Sequence, residues 1–292
     1  MPRITLTITV LHLFINQSFT QLDFERNYEI LVTKKNQYLK RAWEGGLNYP
    51  IFSNVDFDQN GKQDLIAFDK SGKRLIVFKN EQLQFEPINL PLDLYKWVLF
   101  RDFNCDGFPD IFTGTAGGIK VYKNNGNFSF DLETSQIQSN NGDFTTNISV
   151  ANEDVPGIHD IDGDGDLDIL TFDNNGTYVE HHKNISFEKN GICGLEFKIE
   201  SNCWGNFAEN INTNEISINQ NCSQKNILTL GGGKHAGSTI TTINSKNKIP
   251  VDLLIGDISF NNLIHLKNNG NKSANSIIAV SYTHLTLPTT GS

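Results

Sequence analysis

Three short segments of the chain repeat one arrangement of oxygen-bearing side chains. They read DFDQNGKQD from Asp56, DFNCDGFPD from Asp102 and DIDGDGDLD from Asp160. Positions 1, 3, 5 and 9 are Asp56, Asp58, Asn60 and Asp64 in the first, Asp102, Asn104, Asp106 and Asp110 in the second, and Asp160, Asp162, Asp164 and Asp168 in the third. Position 6 is always glycine: Gly61, Gly107 and Gly165. Oxygens at alternate positions of a tight loop suit calcium, a hard cation that takes about six to eight oxygen ligands in flexible geometry; magnesium demands a stricter octahedron. The glycine lets the backbone turn with positive φ. Position 7 then offers a main-chain carbonyl, from Lys62, Phe108 and Asp166, and the aspartate at position 9 closes the cage. Three calcium sites are expected. The third loop, with four ligand carboxylates and Asp166 besides, is expected to bind most tightly, because the first two each carry one Asn in place of Asp.

The same spacing opens an EF-hand, but an EF-hand needs a bidentate Glu at position 12 and flanking helices. Position 12 here is Ala67, Thr113 or Thr171, and the flanks are β-type. A single Asp-Gly turn is as readily a solvated hairpin loop. Three copies, each before an apolar strand, favour metal.

The elements that position these loops repeat too. An apolar-rich stretch precedes each loop, as in Tyr49-PIFSNV and Tyr95-KWVLF. An apolar run follows position 9 (LIAF, IFTG, ILTF), then a glycine turn, then a second apolar stretch ending in Lys79-Asn80, Lys123-Asn124 or Lys183-Asn184. A fourth copy has Asp252 at position 9 and ends in Lys267-Asn268. Its positions 1, 3 and 5 are Asn244, Lys246 and Lys248, and the lysines would repel a cation, so no metal is expected there. From Asp56 to Asp102 is 46 positions, from Asp102 to Asp160 is 58, and from Asp160 to Asn244 is 84, the last lengthened by an insertion at about 186–235. Such intervals, with several short strands each, fit propeller blades better than solenoid turns.

These units resemble FG-GAP/VCBS repeats, which are similar to the calcium-loop blades of the integrin α-subunit propeller, over about residues 45–270. The resemblance implies an all-β fold, a partial β-propeller of FG-GAP-like blades with Asp-rich calcium loops, in which calcium stabilises blades and is not catalytic. The RAWEGGLNYP lead-in and the GDISFNNLI stretch also look like large secreted bacterial proteins that end in a type IX secretion sorting domain. A chain truncated before such a domain is the expectation.

Bulk properties agree. The 292 residues are 38% hydrophobic and 20% charged, which suits a folded chain with a real core. A net charge of −9 argues against nucleic acid as the main partner, since phosphates call for clustered Lys and Arg. Residues 1–20 read as a signal peptide, with Arg3 before the mostly apolar Ile4–Ile15; the alternative is a buried first strand. No segment is long and apolar enough to span a membrane as a helix. The repeat domain is expected over 21–279. From about Val280 the chain reads VSYTHLTLPTTGS, which resembles a translated transposon-end sequencing adaptor, so 280–292 is expected to be a non-native tail.

The four cysteines, Cys105, Cys193, Cys203 and Cys222, allow three pairings; Cys203 and Cys222 flank one short segment that a disulfide would close. Glu180-His181-His182 suggests zinc, but neighbouring strand residues face opposite ways, and an exposed strand end is expected. Gly231-Gly232-Gly233-Lys234 lacks Walker spacing and reads as a turn. Trp43, Trp97 and Trp204 are expected in the core. The functional expectation is a secreted or cell-surface bacterial binding or adhesion module, non-enzymatic, with a protein or glycan ligand. The alternative is a secreted carbohydrate-active enzyme or its non-catalytic propeller domain.

Overall fold

The computed structural model describes residues 30–39, 42, 46–79, 85–88, 90, 92–126, 129–151, 153–219, 238–243, 252–260, 262–268 and 277–283. The chain divides into two compact units, Met1–Gly46 and Leu47–Ser292. In the first, β1 (Thr33–Lys34) and β2 (Gln37–Tyr38) form an antiparallel hairpin. Lys35 and Asn36 turn it with φ of 48° and 62°, the primed turn that matches strand twist.

The second unit is built from successive antiparallel meanders. The first sheet is β3 (Pro50–Val55), β4 (Asp64–Asp69), β5 (Arg74–Phe78) and β6 (Phe85–Ile88), in that order. The second is β7 (Val98–Arg101), β8 (Asp110–Gly114), β9 (Ile119–Asn124) and β10 (Phe130–Thr134). Then come a small hairpin, β11 (Gln138–Asn140) with β12 (Thr145–Asn147), and the third meander: β13 (Gly157–His159), β14 (Asp168–Phe172), β15 (Val179–Asn184), the short helix α1 (Ser186–Asn190) and β16 (Phe197–Ser201). β11 adds to this sheet in parallel with β16. A two-stranded ribbon, β17 (Phe207–Glu209) with β18 (Ile216–Ile218), precedes the fourth meander of β19 (Ser238–Ile243), β20 (Asp252–Asp257), β21 (Leu263–Asn268) and β22 (Ile277–Thr283).

Three apolar clusters join sheet to sheet. Phe57, Ile66, Phe68 and Val77 of the first sheet pack with Val98, Phe100 and Ile111 of the second. Leu99, Phe103 and Phe112 of the second pack with Ile158 and Ile169 of the third, and Leu170 and Phe172 of the third pack with Ile240, Leu253 and Ile255 of the fourth. This explains the sequence pattern after each position 9. Strands β8 and β14 are buried at every residue, so both faces are apolar and the run is continuous. The outer strand β10 is mostly exposed.

The first strand of every meander lies innermost. The Phe100 N–H donates to Ser53 Oγ at 3.0 Å, Arg101 Nε donates to the Ile158 carbonyl at 2.9 Å, and Val155 bridges Thr239 in parallel. Four-stranded meanders packed face to face with their first strands adjacent are the blades of a β-propeller.

One sequence expectation is revised. The fourth strand of the third sheet, β16, lies within the stretch read as inserted, so the segment outside the blade pattern begins after Ser201. The pattern was hidden because α1 interrupts the approach to β16. Residues 280–283, read as tail, continue β22 and pair along β21, Leu263 opposite Thr283 and Ile264 opposite Tyr282. Trp97 and Trp204 are buried, at 1% and 3% exposure. The leader at 1–20, Trp43, the loop of the fourth copy at Asn244, Lys246 and Lys248, and residues 284–292 lie outside the described residues. Among the described residues no helix is long and apolar enough to cross a membrane.

Candidate metal centre

Each loop links the first and second strands of a blade: β3 to β4, β7 to β8 and β13 to β14. The aspartate at position 9 is the first residue of the second strand and is fully buried: Asp64, Asp110 and Asp168 are each 0% exposed. Both of its oxygens accept main-chain N–H groups in the second and third loops, and one does in the first. One accepts the N–H of loop position 2, from Phe57 at 3.0 Å, Phe103 at 3.0 Å and Ile161 at 3.1 Å. The other accepts the N–H of the asparagine ending the third strand, from Asn124 and Asn184, both at 2.8 Å. In the fourth sheet Asp252 accepts likewise from Asn268 at 2.8 Å, and its second oxygen lies 3.0 Å from His265 Nε2. The recurrent Lys-Asn of the sequence is thus a structural partner of position 9. The position-2 side chains Phe57, Phe103 and Ile161 insert into the inter-sheet clusters. One carboxylate therefore ties the loop, two strands and the packing against the next blade.

The other ligand positions curl over this knot. In the first loop Asp56 accepts from Asn60 N–H at 3.0 Å and Gly61 N–H at 2.8 Å, and Asn60 Oδ1 accepts from Lys62 N–H at 2.9 Å. In the second, Asp102 accepts from Asp106 N–H at 3.2 Å and Gly107 N–H at 2.9 Å, while Asn104 Nδ2 donates to Asp106 at 2.9 Å. In the third, Asp160 accepts from Gly163 N–H at 2.6 Å, Asp162 from Asp164 N–H at 3.3 Å and Asp164 from Asp166 N–H at 3.2 Å. Position 6 has positive φ throughout, 82°, 86° and 104° at Gly61, Gly107 and Gly165. Position 4 does too, at Gln59, Cys105 and Gly163, with φ of 58°, 59° and 82°. Only the third loop places glycine there, so the other two hold a strained residue, at a cost of roughly 1–3 kcal/mol.

Carboxylate oxygens of Asp56, Asp58 and Asp64 lie within 4.8 Å of one another, as do those of Asp160, Asp162 and Asp168. That spacing fits a single cation. In the second loop the aspartates Asp102, Asp106 and Asp110 do not close to that spacing, with the amide of Asn104 bonded to Asp106 between them. The crowding has an electrostatic mark. Burial pushes the Asp110 carboxyl up to about 7, with the charges of Asp102 and Asp106 adding and the N–H bonds from Asn124 and Phe103 opposing. Burial also raises Asp160, helped by its aspartate neighbours. Such carboxylates need a proton or a cation to sit together.

At position 7, Lys62 is exposed, Phe108 is half-buried and Asp166 is buried, accepting from Phe187 N–H at the start of α1 at 3.1 Å. Burial, reinforced by Asp164, pushes the Asp166 carboxyl up to about 7. A cation that the sequence did not place also stands at the third loop. Lys183 Nζ pairs with Asp162, with Asp164 at 2.9 Å and with Glu188 at 2.7 Å. Burial lowers its pKa, but these bonds prevail and hold it above the ordinary lysine range. Lys123, its counterpart in the second blade, stays 3.9 Å from Asp106. The only sequence signal was the recurring Lys before Asn.

A disulfide joins Cys105, at position 4 of the second loop, to Cys193 between α1 and β16, and both sulfurs lie beside the Gly165 carbonyl of the third loop, at 3.8 and 3.9 Å. It staples two neighbouring loops across a blade boundary. Cys203 is also disulfide-bonded, and Cys222 lies outside the described residues. His181 and His182 are not an exposed strand end. They are 4% and 3% exposed, on opposite faces of β15, because the third sheet continues outward through β16. His181 Nε2 lies 3.3 Å from Asp168, and His182 Nε2 lies 3.3 Å from Thr171 Oγ1. Burial, with His181 adding, pushes His182 down to about 4, so it stays neutral.

Sheet order and loop geometry together define an all-β protein built from repeated antiparallel meanders. A family model described as FG-GAP-like repeat matches residues 102–171, which span the second and third loops. No curated protein sequence matches the chain. Among solved structures, one from work on the specific recognition of non-reducing terminal N-acetylglucosamine by an Agrocybe aegerita lectin aligns with a TM-score of 0.40 and 16% identity, covering 82% of this chain. The chain covers 55% of the length of that lectin chain.

Proposed function

We propose that the protein is a secreted calcium-binding repeat module that acts at a cell surface or outside the cell by binding a protein or glycan, with calcium as part of its scaffold. The observation that carries this is the convergence of Asp56, Asp58 and Asp64, and of Asp160, Asp162 and Asp168, at equivalent places in two blades. Both clusters sit over a buried carboxylate already committed to main-chain N–H groups. A cation there would offset repulsion and fix the loop. The Cys105–Cys193 disulfide supports export, since such bonds persist in oxidising compartments. Thermal melting in EDTA and then in excess calcium tests the reading. At a calcium concentration of about 100 times Kd, one site adds roughly 2.7 kcal/mol, or about 5–10 °C for a chain of this size. Superimposable melting curves in EDTA and in calcium would sink it.

The enzymatic alternative calls for a carboxylate pair facing open space away from the loops. The carboxylates gathered elsewhere, Glu209 with Asp154 and Asp257, do not suit it: Glu209 is 2% and Asp154 6% exposed, out of reach of a substrate.

A further inference from the structure

The innermost strands β3, β7, β13 and β19 and the turns leading into them surround a cavity of about 540 Å³. Its lining is unlike the rest of the molecule. The chain carries a net charge of −9, yet the cavity presents Arg101 and Lys70 against one carboxylate, Glu153, which pairs with Lys70. Arg101 donates through Nε to the Ile158 carbonyl at 2.9 Å and through Nη1 to the Phe100 carbonyl at 2.7 Å. Its remaining terminal nitrogen has no hydrogen-bond partner among the described residues, and no carboxylate there pairs with it. Two main-chain carbonyls hold the guanidinium flat and in place, leaving one edge for a planar anion.

The same cavity carries an aromatic wall. Tyr49 and Phe52 line it and stay 47% and 48% exposed. Lys70 Nζ stands 5.1 Å from the Tyr49 ring centroid. Tyr49 also has φ of 85°, a conformation an aromatic residue adopts only under constraint from its surroundings. Strain of this kind gathers at ligand sites. The threonines of β19 add hydroxyl groups to the lining.

We propose that this cavity binds a sugar acid, its carboxylate on the free edge of Arg101, its ring against Tyr49 and its hydroxyls toward Glu153 and the β19 threonines. A carboxylate answers the unpaired guanidinium. A ring with an apolar face answers the exposed aromatic wall. Several hydroxyls answer the mixed donors and acceptors, and the volume suits a small saccharide. The inference rests on reading the chain as a binding module and gives that module a ligand class and a site. It is independent of the calcium loops, whose ligands do not line the cavity.

The test is titration calorimetry on the full chain in calcium with galacturonate and glucuronate, against galactose, glucose and acetate. The sugar acids are expected to bind, and the neutral sugars and acetate to bind at least tenfold more weakly. Arg101→Gln is expected to weaken sugar-acid binding at least tenfold. Tyr49→Asn removes the ring but tolerates positive φ, so it is expected to weaken binding with an unchanged or higher melting temperature; it decides the matter if Arg101→Gln fails to fold. Folded wild-type protein that binds neither sugar acid would overturn the proposal, as would neutral sugars or acetate binding equally well, or a folded Arg101→Gln that binds like wild type. A chain that melts higher in calcium but binds no sugar acid overturns this proposal and leaves the calcium reading standing.

Discussion

Asp168→Asn separates what position 9 does for the fold from what it does for a cation. Asp168 is fully buried and accepts from Ile161 N–H at 3.1 Å and Asn184 N–H at 2.8 Å. Asparagine keeps the shape but has one accepting oxygen, so one of the two N–H groups would face an amide NH₂. An unsatisfied buried donor costs about 1–3 kcal/mol, and the surviving bond loses the part due to charge, about 1 kcal/mol. The sum is roughly 2–4 kcal/mol, or about 4–16 °C at about 2–4 °C per kcal/mol for this size. Asp160→Asn is the control. Asp160 is half-buried, and its bond from Gly163 N–H at 2.6 Å can be kept by an asparagine oxygen. In EDTA it is expected to shift stability by less than about 1 kcal/mol. Melting followed by circular dichroism in EDTA measures both, and calorimetry with calcium should find both weakened as ligands. If Asp168→Asn melts with wild type in EDTA, or Asp160→Asn falls as far, the buried knot does not have the role assigned to it.

Lys183→Met removes the ammonium from Asp162 and Asp164, so the calcium-free protein should lose stability while calcium affinity at the third loop rises several-fold; an unchanged or lower affinity in calorimetry would show that Lys183 does not compete there. Cys105→Ser opens a cross-link over 88 positions and should cost about 2–4 kcal/mol, seen as a urea midpoint lower than that of wild type without reducing agent; equal midpoints would remove the staple from the account. Burial, with Asp257 and Asp154 adding, pushes Glu209 up to about 8 from an ordinary 4.5. The folded state then binds the extra proton between those values, so stability is present below about pH 4.5 and is lost as pH rises through 8. Glu209→Gln should flatten that slope by several kcal/mol in urea titrations at pH 5 and pH 8.5, and parallel profiles for the two proteins would refute the burial argument.

Much of the architecture is written locally. The strands after each loop are legible because burial on both faces of β8 and β14 demands the continuous apolar runs IFTG and ILTF, and the glycine at position 6 announces a positive φ. The outer strands are less legible. β10 reads FDLET and is mostly exposed, so no apolar pattern marks it, and β16 follows a helix that breaks the repeat. His181 and His182 looked like a strand end for the same reason, since nothing local reveals that β16 covers them.

The sequence by itself determined where oxygen-bearing side chains alternate, how often that arrangement recurs and that a β-strand follows each loop, because these depend on spacing along one stretch of chain. Tertiary structure decided the roles within the cluster. Only when β9 and β15 return beside β8 and β14 do Asn124 and Asn184 reach the position-9 aspartates, burying them and committing both oxygens to main-chain N–H groups. Only the packing of one blade on the next brings Cys193 to Cys105 and sets Arg101 of one blade on the Ile158 carbonyl of its neighbour. Those partners are 14 to 88 positions apart in the chain, so no local pattern could name them.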